Sequence, residues 1–559
     1  MYKFFIILLF LILHQTATFS KINEKKLFNQ RYLSNYFSAI LSKNNNNGEK
    51  ALKYFNQSKS LSSNHKNFLK NYVFVLVENN QVAKAVKELK NTKDKKFTNF
   101  FEAKLLLFTD SIHKNDFLSA QNYLMDIKSL SNGNNYEKII YETLNNYLYL
   151  FMNNERAENN PDYGKLSLIF KAFQECYLNN EDADQYFSSL LNSENNDYSR
   201  YLFFYFNYLF NKKEIKKIKN ISETINIFDT NLLIAQSKKW VENEKYYKFS
   251  EFFSCQKPNN LISEFYFIIS NLYSSQENFN KSNFYLSISN FLNPKFYFNL
   301  SLKAENYFLL EKYDKSSSIL NKIGKNEQIY KWYKIKKKAQ IVSLTKDEAS
   351  AIKYIEKNLS ELKNLNEKVY FDLGNIYKNF KKYRKSIEYY DMVLRLVENN
   401  TFEYADTLYR RGSSFERLGD YFNSDRDLIN SLNIKPKDPY ILNYLGYSWL
   451  ERRFKLEEAI NMLKLAYNQK KDDPYIADSL GWAYFIIGNY QMAEKFLNQA
   501  IQLKPADSVI VDHYGDTLWM LGRKIQAKYY WKNVLNSEHS PDIDKISIKK
   551  KLLHGLNNS

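Results

Sequence analysis

Glycine returns at a nearly constant interval in the C-terminal part of this 559-residue chain. Gly412, Gly446, Gly481 and Gly515 stand 34, 35 and 34 residues apart. A fixed period of that length points to one supersecondary unit stacked on copies of itself, because a single unit cannot bury its own apolar face. The surroundings recur with the glycine. Leu480-Gly481 leads to Tyr484, Ala493, Leu497, Ala500 and Pro505, and Tyr514-Gly515 to Leu518, Ala527, Trp531 and Val534. Upstream, Gly412 leads to Phe415, Ser424, Leu428, Ser431 and Pro436, and Leu373-Gly374 to Tyr377, Ser386, Tyr390 and Val393. Small residues let two antiparallel helices approach closely, and the large ones fill the space between them. Pro505 stops a helix by lacking an N–H, whereas Pro439 and Pro474 open the next, where that loss is harmless. Gly419, Gly488 and Gly522, seven residues after the first glycine, mark the turn inside each hairpin.

Composition agrees with helices throughout. The chain has 13 Gly and 8 Pro, 21 of 559 residues, against about 12% for this pair in average proteins. That scarcity excludes sandwiches, barrels, collagen-like chains and Gly-rich nucleotide folds. Aromatic residues make up 17% of the chain, ample material for a core. Two cysteines, Cys176 and Cys255, allow at most one disulfide, and their spacing fits no metal motif.

The repeat positions resemble the tetratricopeptide repeat, a 34-residue helix–turn–helix unit. The match is densest over residues 367–536. Upstream it weakens but keeps its period: Ala51, Ala85 and Ala120 are each followed four residues on by Phe55, Leu89 and Leu124, and Ala304, Tyr307, Ser316 and Leu320 fit a further unit. The resemblance implies an all-α, right-handed superhelical solenoid of such repeats. The segments expected are a signal peptide over 1–20, degenerate repeats over 21–130 and divergent helical repeats of uncertain register over 131–260. Degenerate repeats follow over 261–366, well-matched repeats over 367–536, and a helical or disordered tail over 537–559. A solenoid of about a dozen hairpins would absorb the chain beyond the signal segment and leave no room for a catalytic domain.

The first twenty residues are of another kind. Phe4 to Leu13 are ten consecutive apolar residues after a short n-region with Lys3. Such a run is shorter than the roughly 20 residues a membrane span needs and has the length of a signal-peptide core. With Thr18 and Ser20 at −3 and −1, cleavage is expected before Lys21. The expectation is an exported, periplasmic protein, retained at the membrane only if the segment is not removed.

Catalytic signatures are absent: no G-x-G-x-x-G, P-loop, H-E-x-x-H, G-x-S-x-G or C-x-x-C occurs. His513, beside Asp512 and Asp516, reads as a polar groove residue in preference to a metal or acid–base site. No enzyme, cofactor, metal or small-molecule substrate is expected. In proteins resembling this one, positions 2, 5, 9 and 12 of each first helix line a concave face that takes a peptide. Carried over, the resemblance implies Asp406, Tyr409, Ser413 and Glu416, then Tyr440, Asn443, Tyr447 and Leu450. The next units give Tyr475, Asp478, Trp482 and Phe485, then Val509, Asp512, Asp516 and Trp519. The groove set is Tyr409, Tyr440, Asn443, Tyr447, Tyr475, Asp478, Trp482, Asp512, Asp516 and Trp519. The Lys/Asn/Arg set with which some members grip a C-terminal carboxylate is not intact.

The last three repeats resemble those of bacterial envelope adaptors. Partners are therefore expected among envelope proteins or peptides, including a processing protease or a peptidoglycan enzyme. A second reading follows from charge: Lys+Arg 80 against Asp+Glu 61 leaves +19, which could serve an anionic polymer such as nucleic acid or acidic polysaccharide. Only 12 of the 80 basic residues are Arg, the side chain nucleic-acid surfaces favour, so nucleic acid is not the expected partner.

Overall fold

The structure is a computed structural model that describes residues 30–45, 47–63, 67–131, 135–158, 162–191, 199–323, 327–360, 362, 365–537 and 544–556. The expected signal segment lies outside them. The described residues form α-helices joined by short turns, with no strand among them. No helix among them is long and apolar enough to cross a membrane. The chain divides into two compact units, Met1–Ile225 with Thr230–Leu362, and Lys363–Ser559 with Asn226–Asp229.

One local device makes the hairpins. The N–H of Asn80 bonds the carbonyl of Val77 at 2.9 Å, and that of Gln81 bonds Leu76 at 2.8 Å, with Asn80 in the left-handed region at φ 58°. This pair of bonds satisfies carbonyls that a helix end leaves orphaned. It recurs at Asn115, Asn179, Lys213, Glu244, Glu277, Glu311, Lys381, Gly419, Arg453, Gly488 and Gly522. The first eight of those twelve turns carry a residue other than glycine. That is how the Gly-poor part still turns every 30-odd residues, at a steric cost of about 1–2 kcal/mol per turn relative to glycine.

Packing differs between the units. In the N-terminal unit, helices far apart in sequence touch. Phe68–Glu78 and Phe101–His113 pack on Pro258–Ser275 and Phe279–Leu292, with Phe74 stacked on Phe284 at 5.1 Å and Thr109 Oγ1 2.8 Å from the Tyr266 hydroxyl. An open array would contact only neighbouring repeats. Here one continuous core runs from Tyr36 to Tyr330. The aromatic excess is used in it: Phe203, Phe204, Trp240, Phe249 and Phe296 meet in edge-to-face and stacked pairs. Cys176 and Cys255 are joined in a disulfide within this unit, both fully buried.

The C-terminal unit is a row of five hairpins. They are Glu367–Asn379 with Tyr383–Leu394, Phe402–Arg417 with Tyr421–Ile434, Pro439–Glu451 with Leu456–Gln469, Pro474–Ile486 with Tyr490–Leu503, and Ser508–Met520 with Lys524–Asn536. A last helix, Lys545–His554, follows. Close approach within a hairpin is enforced by the recurrent glycine: a Cβ at Gly481 would come within 2.6 Å of Leu497. Asp438, Asp473 and Asp507 cap the first helices of the third, fourth and fifth hairpins by accepting from two backbone N–H groups each, which sets where each helix face points.

Candidate peptide groove of the C-terminal hairpins

Residues three and seven apart share a helix face, so Tyr440, Asn443 and Tyr447 form one row on the first helix of the third hairpin. Tyr475, Asp478 and Trp482 form the equivalent row on the fourth. The structure joins successive rows through side chains. The Tyr444 hydroxyl donates to Glu416 at 2.9 Å, and Trp482 Nε1 donates to Glu451 at 2.7 Å. Trp482 lies flat between Phe485, 4.5 Å away, and His513, 4.0 Å away.

Accessibility sorts the expected residues into two sets. Tyr440 and Tyr475 are half exposed, at 48% and 50%, and the Lys504 ammonium donates to the Tyr475 hydroxyl. Tyr409, Asn443, Tyr447, Trp482 and Trp519 are partly covered. The Asn443 Oδ1 is buried with no hydrogen-bond partner among the described residues, at a cost of about 1–3 kcal/mol. Asp478 and Asp516 are buried and already paired. His513 Nδ1 lies 3.0 Å from Asp478. Lys551, on the last helix, donates to both Asp512 and Asp516 at 2.7–2.9 Å. Three of the expected carboxylates therefore tie hairpin to hairpin or hairpin to last helix. Ser413 and Leu450 are likewise buried. His513 does not face a groove; it is sealed in the seam between the fourth and fifth hairpins.

Sequence reasoning missed Lys378, Glu451 and Lys551, and it missed His513 as the buried partner of Asp478. A one-period extension would have found two of them: His513 follows Asp478 by 35 residues, and Lys551 follows Asp516 by 35. Lys378 donates to Ser413, and burial with Arg410 and Arg417 nearby pushes its ammonium down to about 7. The row thus carries Arg410 and Arg417 at one end and is carboxylate-rich at Glu451, Asp478, Asp512 and Asp516.

The last helix closes the fifth hairpin. Gly555 sits at φ +74° against Trp519, where a Cβ would fall within 1.9 Å of the ring. The charges beneath it make stability depend on pH. Burial disfavours the charged His513 ring, but Asp478, Asp512 and Asp516 outweigh it and raise its pKa above the ordinary value. Burial, with Asp512 adding and Lys551 opposing, pushes the Asp516 carboxyl up to about 6. Both groups bind protons more tightly folded than unfolded. Stability therefore falls as pH rises through the folded His513 value and through about 6 for Asp516. Thermal unfolding of the C-terminal hairpins should show a gain in stability from pH 8 to pH 6, carried by His513, and a further gain below pH 6, carried by Asp516. His513→Gln should shrink the first gain, and an unchanged pH dependence would reject this account.

A family model described as the tetratricopeptide repeat matches residues 367–400 and 478–507. A TPR repeat-containing protein of Pseudomonas aeruginosa is 32% identical over 114 residues, which is 20% of this chain and 19% of that one. The match thus spans about a fifth of that relative's length. Among solved structures, a tetratricopeptide repeat protein from Parabacteroides merdae is 16% identical, with 46% of this chain and 97% of that chain covered and a TM-score of 0.37. MamA from Desulfovibrio magneticus RS-1 is 19% identical, with 32% and 97% covered and a TM-score of 0.27. With its 34-residue period, its small residues at the helix crossings and these family matches, the chain carries tetratricopeptide repeats in its C-terminal hairpins, matched over residues 367–400 and 478–507.

Proposed function

We propose that this protein is an exported, non-enzymatic scaffold that holds a segment of another protein along the row of first helices between residues 367 and 536. The observation that carries the reading is the pair Tyr440 and Tyr475, half-exposed rings at equivalent positions on successive first helices. Half-exposed aromatic anchors on successive repeats suit a ligand that brings apolar surface along the row. The polarity of the row favours a segment with acidic residues near Arg410 and Arg417 and basic ones near Glu451. The apolar run Phe4–Leu13 and the buried disulfide support an oxidising compartment outside the cytosol. A processing protease or a peptidoglycan enzyme of the cell envelope is the partner class we favour.

The electrostatic alternative draws less support. Several lysines already serve the fold: Lys217 pairs with Asp184, Lys219 with Glu244 and Lys337 with Glu305.

The test is photo-crosslinking in living cells from position 440, followed by mass spectrometry and affinity measurement with the captured protein. Tyr440→Ala with Tyr475→Ala removes half-exposed rings and should leave the fold intact while weakening binding by about tenfold or more. Recovery of no partner above background, or a captured partner indifferent to both substitutions, overturns the proposal.

A further inference from the structure

The N-terminal unit contains a cleft of about 830 Å³, within the size range of ligand sites. It lies where the ends of the first two hairpins meet the hairpin Leu300–Leu309 with Tyr313–Leu320. Four lysines and four carboxylates line it, so it carries no net charge at neutral pH. That balance argues against an anion or a polycation as occupant.

The polar groups within it are unevenly used. Lys303 is fully buried, and its ammonium donates to Ser287 Oγ at 2.7 Å, Asn80 Oδ1 at 2.9 Å and the Glu78 carbonyl at 3.4 Å. Its three protons are therefore engaged by uncharged oxygens. The Glu78 carboxylate, by contrast, receives no hydrogen bond and makes no ion pair among the described residues. Burial pushes it up to about 7, with Lys303, Lys43 and Lys315 pulling the other way. Around it stand amides with donors to spare. Asn80 commits its oxygen to Lys303, and Asn47 commits its own to the Lys50 backbone at 3.2 Å, which leaves their Nδ2 groups for a ligand. Asn45 and Tyr307 complete this wall.

A carboxylate that accepts from two hydroxyls, flanked by amide N–H groups that donate to the same oxygens, matches the vicinal diol of a sugar. Ammonium or phosphate ligands match it less well, since lysines face the first and Glu78 the second. We propose that this cleft binds a neutral saccharide, with Glu78 accepting from its hydroxyls and Asn45, Asn47 and Asn80 donating to them. The chain would bind the sugar without transforming it, consistent with an expectation of no small-molecule substrate.

The experiment is calorimetric titration of the full mature chain with cellobiose, maltose and N,N′-diacetylchitobiose at millimolar concentration. Inorganic phosphate and spermidine serve as charged probes. At least one disaccharide should bind, and Glu78→Gln should weaken it by about tenfold or more. Asn45→Ala, at an exposed rim position, should weaken it in a variant whose melting is unchanged, which keeps the test valid if Glu78→Gln disturbs the fold. Failure of all three sugars to bind, binding indifferent to both substitutions, or displacement of the sugar by phosphate or spermidine overturns the proposal.

Discussion

Arg200→Met should destabilise the N-terminal unit by about 3–5 kcal/mol. Arg200 meets Glu264 through two parallel bonds of 2.8 Å and donates to Asn299 Oδ1 at 2.6 Å. Its guanidinium also lies 3.7 Å from the centre of the Phe267 ring. Glu264 is 2% exposed, and burial raises its carboxyl while Arg200 holds it down. The pair is costly to assemble and more costly to break, because removing the cation strands a buried carboxylate. Two consequences separate this mechanism from simple loss of packing. The stranded Glu264 should rise further in pKa, so the deficit of Arg200→Met should shrink as pH falls and the carboxyl takes up a proton. The double substitution Arg200→Met with Glu264→Leu should recover most of the loss, since an apolar pair no longer contains an unpaired charge. Urea denaturation at two pH values, read by circular dichroism, measures all three variants. A single-variant loss below about 1 kcal/mol, or no recovery in the double variant, would show that the pair is not what holds these helices together.

The same ion pair shows why half of this fold was opaque. Arg200 and Glu264 stand 64 residues apart, and Thr109 and Tyr266 157 apart; neither separation follows from a repeat that contacts only its neighbours. In the C-terminal hairpins the packing contacts lie within one hairpin or about one period away, so Gly481, Leu497 and Ala493 announce their own packing. Over residues 131–260 the register was hidden for a different reason. Asn179, Lys213 and Glu244 adopt the left-handed turn conformation that glycine holds at Gly419, Gly488 and Gly522. Polar residues tolerate that conformation at modest cost, so the signal was a position without a residue type. The groove was legible at the level of the helix face but not of the individual side chain. Tyr440 and Tyr475 keep half their surface, whereas Asp478 and Asp516 are consumed by His513 and Lys551. Whether a face residue is open depends on its partner one repeat later, and a single-repeat template contains no such partner.

Reduction of the Cys176–Cys255 disulfide should lower the stability of the N-terminal unit by about 4 kcal/mol. The bond closes a span of 79 residues, and opening it restores to the unfolded chain the entropy of that loop, a cost that grows only logarithmically with length. Native geometry adds to the argument. Cys176 lies in the helix Lys165–Leu178, Cys255 follows the helix Tyr247–Phe252, and Gln256 Nε2 reinforces the junction by donating to the Cys176 carbonyl at 3.0 Å. Because both sulfurs are fully buried, Cys176→Ala with Cys255→Ala should reproduce the loss and add a small cavity penalty. Both cysteines belong to the N-terminal unit. Hydrogen exchange in Pro439–Glu451 and Pro474–Ile486 is therefore an internal control and should not change with reductant, while exchange in Lys165–Leu178 should accelerate. Equal melting with and without reductant would refute the stabilising role. Two titratable thiols in denatured protein recovered from cells would remove the support that the disulfide lends to export, because an oxidising compartment should leave none.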